Sequence, residues 1–169
     1  MFEKFHRGDI YSADLSPGIG SEQSGSRPVL RILDAINQNF PDMQYITSYA
    51  RADSITRKNP AELKALRQAG LNHLYSGMET GSDRILKLIN KGFDADTVVR
   101  SGCMAKDADM ILSEFILLGI GGKELSEENA AQTAKALNII QPDFIRVQDR
   151  KSTRLNSSHR SQSRMPSSA

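Results

Sequence analysis

From Pro28 onward, apolar and polar positions alternate between two rhythms. Val29, Ile32, Leu33, Ile36 and Phe40 recur at helical spacing and mark one buried face, closed by Pro41 and Asp42. Residues 45–50 read as a short strand. Asn59 is a helix cap and Pro60 fits the first helical position. Leu63 and Leu66 supply the buried stripe before Ala69 and Gly70 stop the helix. The run 73–76 predicts a second strand ending in Gly77, and Ile85, Leu86 and Ile89 predict a helix opened by Ser82 and Asp83. Asp94, Asp96 and Thr97 lead the next helix, with Val98, Val99, Gly102 and Cys103 on adjoining faces. Residues 111–118 are a strongly apolar strand candidate. Ser126 is expected to cap a helix with Glu127 and Glu128 in its first turn and Ala130, Ala134 and Leu137 on its inner side. Pro142 ends that helix, and residues 143–147 read as a fourth strand.

Strands that begin near residues 45, 73, 111 and 143, with helices between them, imply a parallel sheet with right-handed crossovers. The fold class is α/β, either an open sheet or part of a barrel. Such sheets gather their chemistry where the strands end. The first strand leads to Arg51, the second to Glu79, the third to Gly119-Ile120-Gly121-Gly122, and the fourth carries Arg146 and Gln148. Glu79 lies between Gly77 and Gly81. It is either a site carboxylate approached closely by a ligand or a solvated strand cap bonded to the start of the next helix. The glycine loop is either a flexible connection or a backbone cradle for an anion or a flat ring. The Gly-Lys-Ser/Thr ending of a Walker phosphate loop is absent.

Composition narrows the classes. The 169 residues allow one domain, which can bury about two-thirds of its unfolded surface. The single cysteine, Cys103, cannot form an internal disulfide or build a cluster or zinc site alone, and its helical position predicts a packed, inert thiol. His73, at a strand start, reads as packed or exposed rather than catalytic. No apolar run is long enough for a membrane span and no secretory leader precedes the fold, so the expected location is cytoplasmic. The net charge of +2 is unevenly placed. Arg150, Lys151, Arg154, Arg160 and Arg164 follow Gln148 with one acid, Asp149, which leaves 17 bases against 19 acids in residues 1–148. A nucleic-acid partner is therefore not indicated. Residues 149–159 resemble one reading frame of a sequencing-library adapter and residues 163–169 its continuation, so residues 149–169 are expected to be a non-native tail. Residues 1–26 are turn-rich and unassigned, either a loop or a misread start.

The string Ala69-Gly70-Leu71, Leu74 to Asp83 and Leu86 to Gly92 resembles the middle of a radical S-adenosylmethionine (radical SAM) core domain. Within that superfamily it is most similar to iron–sulfur oxidoreductases related to oxygen-independent coproporphyrinogen oxidase. The resemblance extends over residues 35–147. It implies part of a TIM-like barrel over residues 27–148, an S-adenosylmethionine cofactor and a [4Fe–4S] cluster held by three cysteines in a C-x3-C-x2-C loop. It further implies a 5′-deoxyadenosyl radical that removes hydrogen from a small-molecule substrate left undefined. On the matching positions, Glu79 is placed near the cofactor's ribose or amino group, Ser48 and Arg51 at its polar end, and Gly121 and Gly122 on its adenine side. No catalytic or metal residue carries over, because the cysteine loop has no counterpart here. The expectation is a fragment that has lost its cluster-bearing part, inactive and poorly stable alone. Two other classes remain open: a different TIM-barrel enzyme using the glycine loop for a phosphate, and a non-catalytic binding module.

Overall fold

The computed structural model describes residues 26–149. The readings made of residues 1–26 and 149–169 lie outside it, apart from Ser26 and Asp149. Its elements are α1 (Ser26–Asn39), β1 (Ile46–Ala50), α2 (Ala52–Thr56), α3 (Pro60–Gln68), β2 (Leu71–Glu79), α4 (Asp83–Leu88), α5 (Ala95–Asp107), β3 (Ile111–Leu118), α6 (Ser126–Ile140) and β4 (Phe144–Asp149). Capping chemistry fixes several of the starts. Asn59 and Glu62 form a reciprocal capping box with Pro60 behind it. Ser82 accepts from the Ile85 N–H, and Asp94 accepts from the Thr97 N–H at 2.8 Å.

All four strands run parallel in the order β1-β2-β3-β4. A sheet whose order never reverses, joined by right-handed crossovers, places its connecting helices on one face. That is the βα pattern of a barrel wall rather than of a doubly wound sheet. The helix-covered face holds the core, in which Leu74, Met78 and Leu112 of the sheet meet Leu33, Leu63, Leu66, Val98, Ala105, Ala136 and Ile140. Each buried Leu, Ile, Val or Met among them contributes about 1.5–3 kcal/mol relative to exposure, and the alanines less. Alternation along the strands sends Tyr49, His73, Tyr75, Ser113 and Phe115 to the opposite, open face, where their rings and hydroxyls touch across the sheet.

Five features differ from expectation. β2 is longer than the run 73–76: it begins at Leu71, which is buried, and continues through Gly77 to Glu79. α2 was not anticipated, since five residues are too few to display a helical period. Ser126 does not cap α6. Leu125 occupies the cap position without a side-chain bond, and the Ser126 hydroxyl donates to the Lys123 carbonyl at 3.0 Å. The inner side of α6 is Thr133, Ala136 and Ile140; Ala130 and Ala134 are exposed and Leu137 is half-buried. Alanine is too small to define a face, whereas the Thr133 hydroxyl is used internally. β4 begins at Phe144 and reaches Asp149, so the expected boundary after Gln148 falls within its last step.

Candidate functional site

Glu79 is the last residue of β2 and its backbone is unusual. Its φ is +63°, and the Thr80 N–H donates to the Met78 carbonyl at 2.7 Å. This is a γ-turn with a positive-φ centre, a strained conformation for a residue with a Cβ. The register with β3 slips between Gly77 and Glu79, which turns the chain end outward. The Glu79 carboxylate folds back over Gly77, whose absent Cβ would lie 2.6 Å from Glu79 Oε1 and 3.3 Å from Lys91 Nζ. Gly77 shares the open face with Tyr75, so the carboxylate lies on that side of the sheet.

The strain is held by the loop that follows. Thr80 Oγ1 donates to Asn129 Oδ1 at 2.6 Å, the Gly81 N–H donates to Thr133 Oγ1 at 3.0 Å, and the Ser82 hydroxyl donates to Glu128. Thr80, Gly81 and Ser82 are buried. Gly81 lies so close to the Gln132 backbone that a Cβ there would collide with it. Four residues of α6 thus fix the three residues after Glu79.

The Glu79 carboxylate is paired. Lys91 Nζ donates to Oε1 at 2.8 Å, with both side chains less than one-fifth exposed. Lys91 Nζ stands 5.6 Å from the centre of the Phe93 ring, and the Arg51 guanidinium stands 5.4 Å from it. Arg51 Nη2 donates to the Lys91 carbonyl at 3.1 Å, and Arg51 Nε donates to Asp53 Oδ1 at 3.0 Å. Arg51 and Glu79, two of the expected site residues, are therefore joined through Lys91 and Phe93. Neither linker was singled out from sequence. The signal available was only that Asn90-Lys91-Gly92 closes the string resembling the radical SAM core, with Phe93 directly after it.

The other expected residues lie differently. Ser48 is buried and alternates with Tyr49, which places it on the helix-covered face, where its hydroxyl donates to the Tyr49 carbonyl at 3.1 Å. It does not join Arg51 and Glu79. Gly121 packs against Ile85 and Leu125, so its lack of a side chain answers to the protein's own packing. Gly122 has φ +66° and an open Cβ direction, with no atom within 4 Å, and its N–H donates to the Gly119 carbonyl at 3.1 Å. Of the two, Gly122 is the one open to a ligand.

Two further groups bear on the electrostatics. Glu114 of β3 is fully buried on the helix side, and neither oxygen has a hydrogen-bond partner; the paired Ser76 hydroxyl also lacks one. Burial pushes its carboxyl up to about 8, partly opposed by the nearby Ser76 hydroxyl and Met78 backbone. His73 is buried between Tyr45 Oη and Ser113 Oγ, each 2.8 Å from a ring nitrogen. Burial lowers its pKa, and Arg146 lowers it further. Cys103 is half-buried on α5, and among the described residues no group of three or more His, Cys, Asp or Glu is arranged to hold a metal ion. A cluster bound by three thiolates does not fit a chain with one cysteine.

A one-sided parallel βα sheet defines an α/β segment of the TIM-like barrel type, and solved radical SAM enzymes share this fold. Coproporphyrinogen III oxidase from Escherichia coli, a radical SAM enzyme, superimposes with a TM-score of 0.60 at 19% identity, over 74% of this chain and 28% of that one. Methylornithine synthase gives a TM-score of 0.58 at 19% identity, over 73% of this chain and 34% of that one. OxsB, a cobalamin-dependent S-adenosylmethionine radical enzyme solved with aqua-cobalamin and S-adenosylmethionine bound, gives 0.53 at 17% identity, over 66% of this chain and 16% of that one. At these identities the likeness is one of fold, and this chain spans about a third or less of each structure. No family model matches the sequence. Among curated proteins, Endoribonuclease EndoA of Bacillus subtilis (strain 168) is 62% identical over 34 residues, which are 20% of this chain and 29% of that protein. No helix among the described residues is long and apolar enough to cross a membrane.

Proposed function

We propose that residues 26–149 are the cofactor-facing part of a radical SAM barrel, and that its carboxyl edge binds S-adenosylmethionine. The observation that supports this most is the Glu79 backbone. A non-glycine residue held at φ +63° by a locked loop is maintained against its own preference, and such strain concentrates at ligand sites. Lys91 occupies Oε1, and Oε2 makes no hydrogen bond among the described residues. A ligand ammonium approaching there would meet Lys91 as a like charge, whereas ribose hydroxyls would donate to Oε2 without that penalty. Glu79 therefore takes the ribose. Arg51, anchored by Asp53 and the Lys91 carbonyl, takes the cofactor's carboxylate, and the Gly121-Gly122 turn lies on the adenine side. Ser48, which faces the helices, has no part in this arrangement.

When reductively cleaved, S-adenosylmethionine supplies hydrogen-atom abstraction; the chain's own contribution is to bind and orient it and to exclude water. The iron–sulfur cluster that the resemblance implies has no ligand set in this chain, so the chain alone is proposed to bind cofactor without turning it over. Titrating S-adenosylmethionine into the full chain and its Glu79→Gln variant, by ligand-observed NMR, tests the assignment. A ten- to hundredfold weaker affinity with an unchanged melting curve is expected, the equivalent of about 1.4–2.7 kcal/mol. Equal affinities would return Glu79 to a strand cap.

A further inference from the structure

The open face of the sheet carries an arrangement that the cofactor edge does not use. Two registered rows cross it: Tyr49, Tyr75, Ser113 and Phe144, then Gly77, Phe115 and Arg146. The interior of a closed barrel is ordinarily filled by layers of Val, Ile and Leu, and neither row contains one. Instead the rings form a continuous shelf. Tyr49 lies 5.2 Å from Tyr75 and 6.2 Å from Phe115, Tyr75 lies 6.0 Å from Phe115, and His73 stacks on Tyr75 at 4.3 Å. Arg146 reaches across the small Ser113, its guanidinium 5.1 Å from the Tyr75 ring centre and its Nε 3.5 Å from Ser113 Oγ. Arg51, Lys91 and Lys106 each pair with a carboxylate; Arg146 pairs with none among the described residues. His73 offers no counter-charge, because an imidazole is neutral or cationic; its ring nitrogens are bonded to the Tyr45 and Ser113 hydroxyls. The shelf therefore carries one uncompensated cation among aromatic faces, with Tyr49 73% exposed.

We infer that this face is a substrate subsite for a small planar molecule bearing a carboxylate: the ring lies against the exposed Tyr49 and against Phe115, and the carboxylate pairs with Arg146. Charge complementarity selects the anion, since a guanidinium already stacked on a ring is pre-oriented for two parallel N–H bonds to a carboxylate. The aromatic surface selects a flat partner. Treating this face as the barrel's inner wall rests on the function proposed above.

The test uses the full chain with 2-naphthoate and its neutral analogue 2-naphthamide as probes, followed by saturation-transfer NMR. The acid is expected to bind about tenfold more tightly than the amide. Arg146→Gln is expected to abolish that preference and Arg146→Lys to retain part of it. Phe115→Leu is expected to weaken both probes alike. Equal binding of acid and amide to the unaltered chain, a comparison that needs no variant, would overturn the inference, as would a preference that survives Arg146→Gln. Arg146→Gln should leave S-adenosylmethionine binding unchanged while removing the preference for naphthoate. A failed cofactor site and a failed substrate subsite thus give different results.

Discussion

Glu79 concentrates its strain in a single backbone angle. A residue with a Cβ in the left-handed region costs roughly 1–2 kcal/mol, a cost that glycine avoids. Glu79→Ala and Glu79→Gly both lose the ion pair with Lys91, so the difference between them isolates the strain. The glycine variant is expected to be about 1 kcal/mol more stable than the alanine variant in urea unfolding, reversing their usual order within a strand. Glu114 gives a second prediction. Its folded pKa is raised from 4.5 to about 8, so between those values the folded chain binds more protons than the unfolded one. Stability from this residue is intact below about pH 4.5 and falls as pH rises toward 8, by up to about 1.4 kcal/mol per pH unit. Glu114→Gln should flatten that slope in melts across the range; an unchanged slope would place its origin elsewhere. At this scale the sequence was partly legible. Glu79 stood out because glycines flank it, and Arg51 because it follows a strand. Lys91 and Phe93 are 12 and 14 residues beyond Glu79 and meet it only once the chain has folded back. Ser48 was misplaced because Ile46-Thr47-Ser48-Tyr49-Ala50 has no clear polar alternation from which to read a face.

At the scale of elements, the loop after β2 and the helix α6 act as one piece. Gly77 and Gly81 bracket Glu79, and their substitution should have unlike effects. A Cβ at Gly81 meets the Gln132 backbone, which cannot yield, so Gly81→Ala is expected to cost about 1–3 kcal/mol. A Cβ at Gly77 meets the ends of the Glu79 and Lys91 side chains, which can swing away. Gly77→Ala should therefore cost less than about 1 kcal/mol in stability while weakening ligand binding at the edge. Comparing melting temperatures and S-adenosylmethionine affinities of the two variants checks the distinction. β3 was legible to the residue because a run that is apolar apart from Ser113 and Glu114, set between turn residues, has few alternatives. The capping box of α3 was half-visible as Asn59-Pro60. The reach of β2 through Gly77 was not legible: glycine reads as a stop, and only the folded Glu79 side chain occupies the space above it.

For the whole molecule, sequential strand order and one-sided helices make an arc rather than a closed unit. β1 and β4 each have one hydrogen-bonded neighbour in the sheet. Ile145 and Val147, which alternate onto the helix side of β4, remain about half exposed, as expected where no further helix among the described residues covers them. These features agree with a chain that spans about a third or less of the barrel enzymes it superimposes on. They also leave the carboxyl edge accessible to direct mapping. The decisive measurement is a two-dimensional amide NMR titration of the full chain with S-adenosylmethionine. The account predicts shifts centred on Arg51, Glu79, Thr80, Lys91, Gly121 and Gly122, with Ser48 and the helix-covered core unmoved. Shifts confined to the helix side, or none at the carboxyl edge at millimolar cofactor, would contradict it.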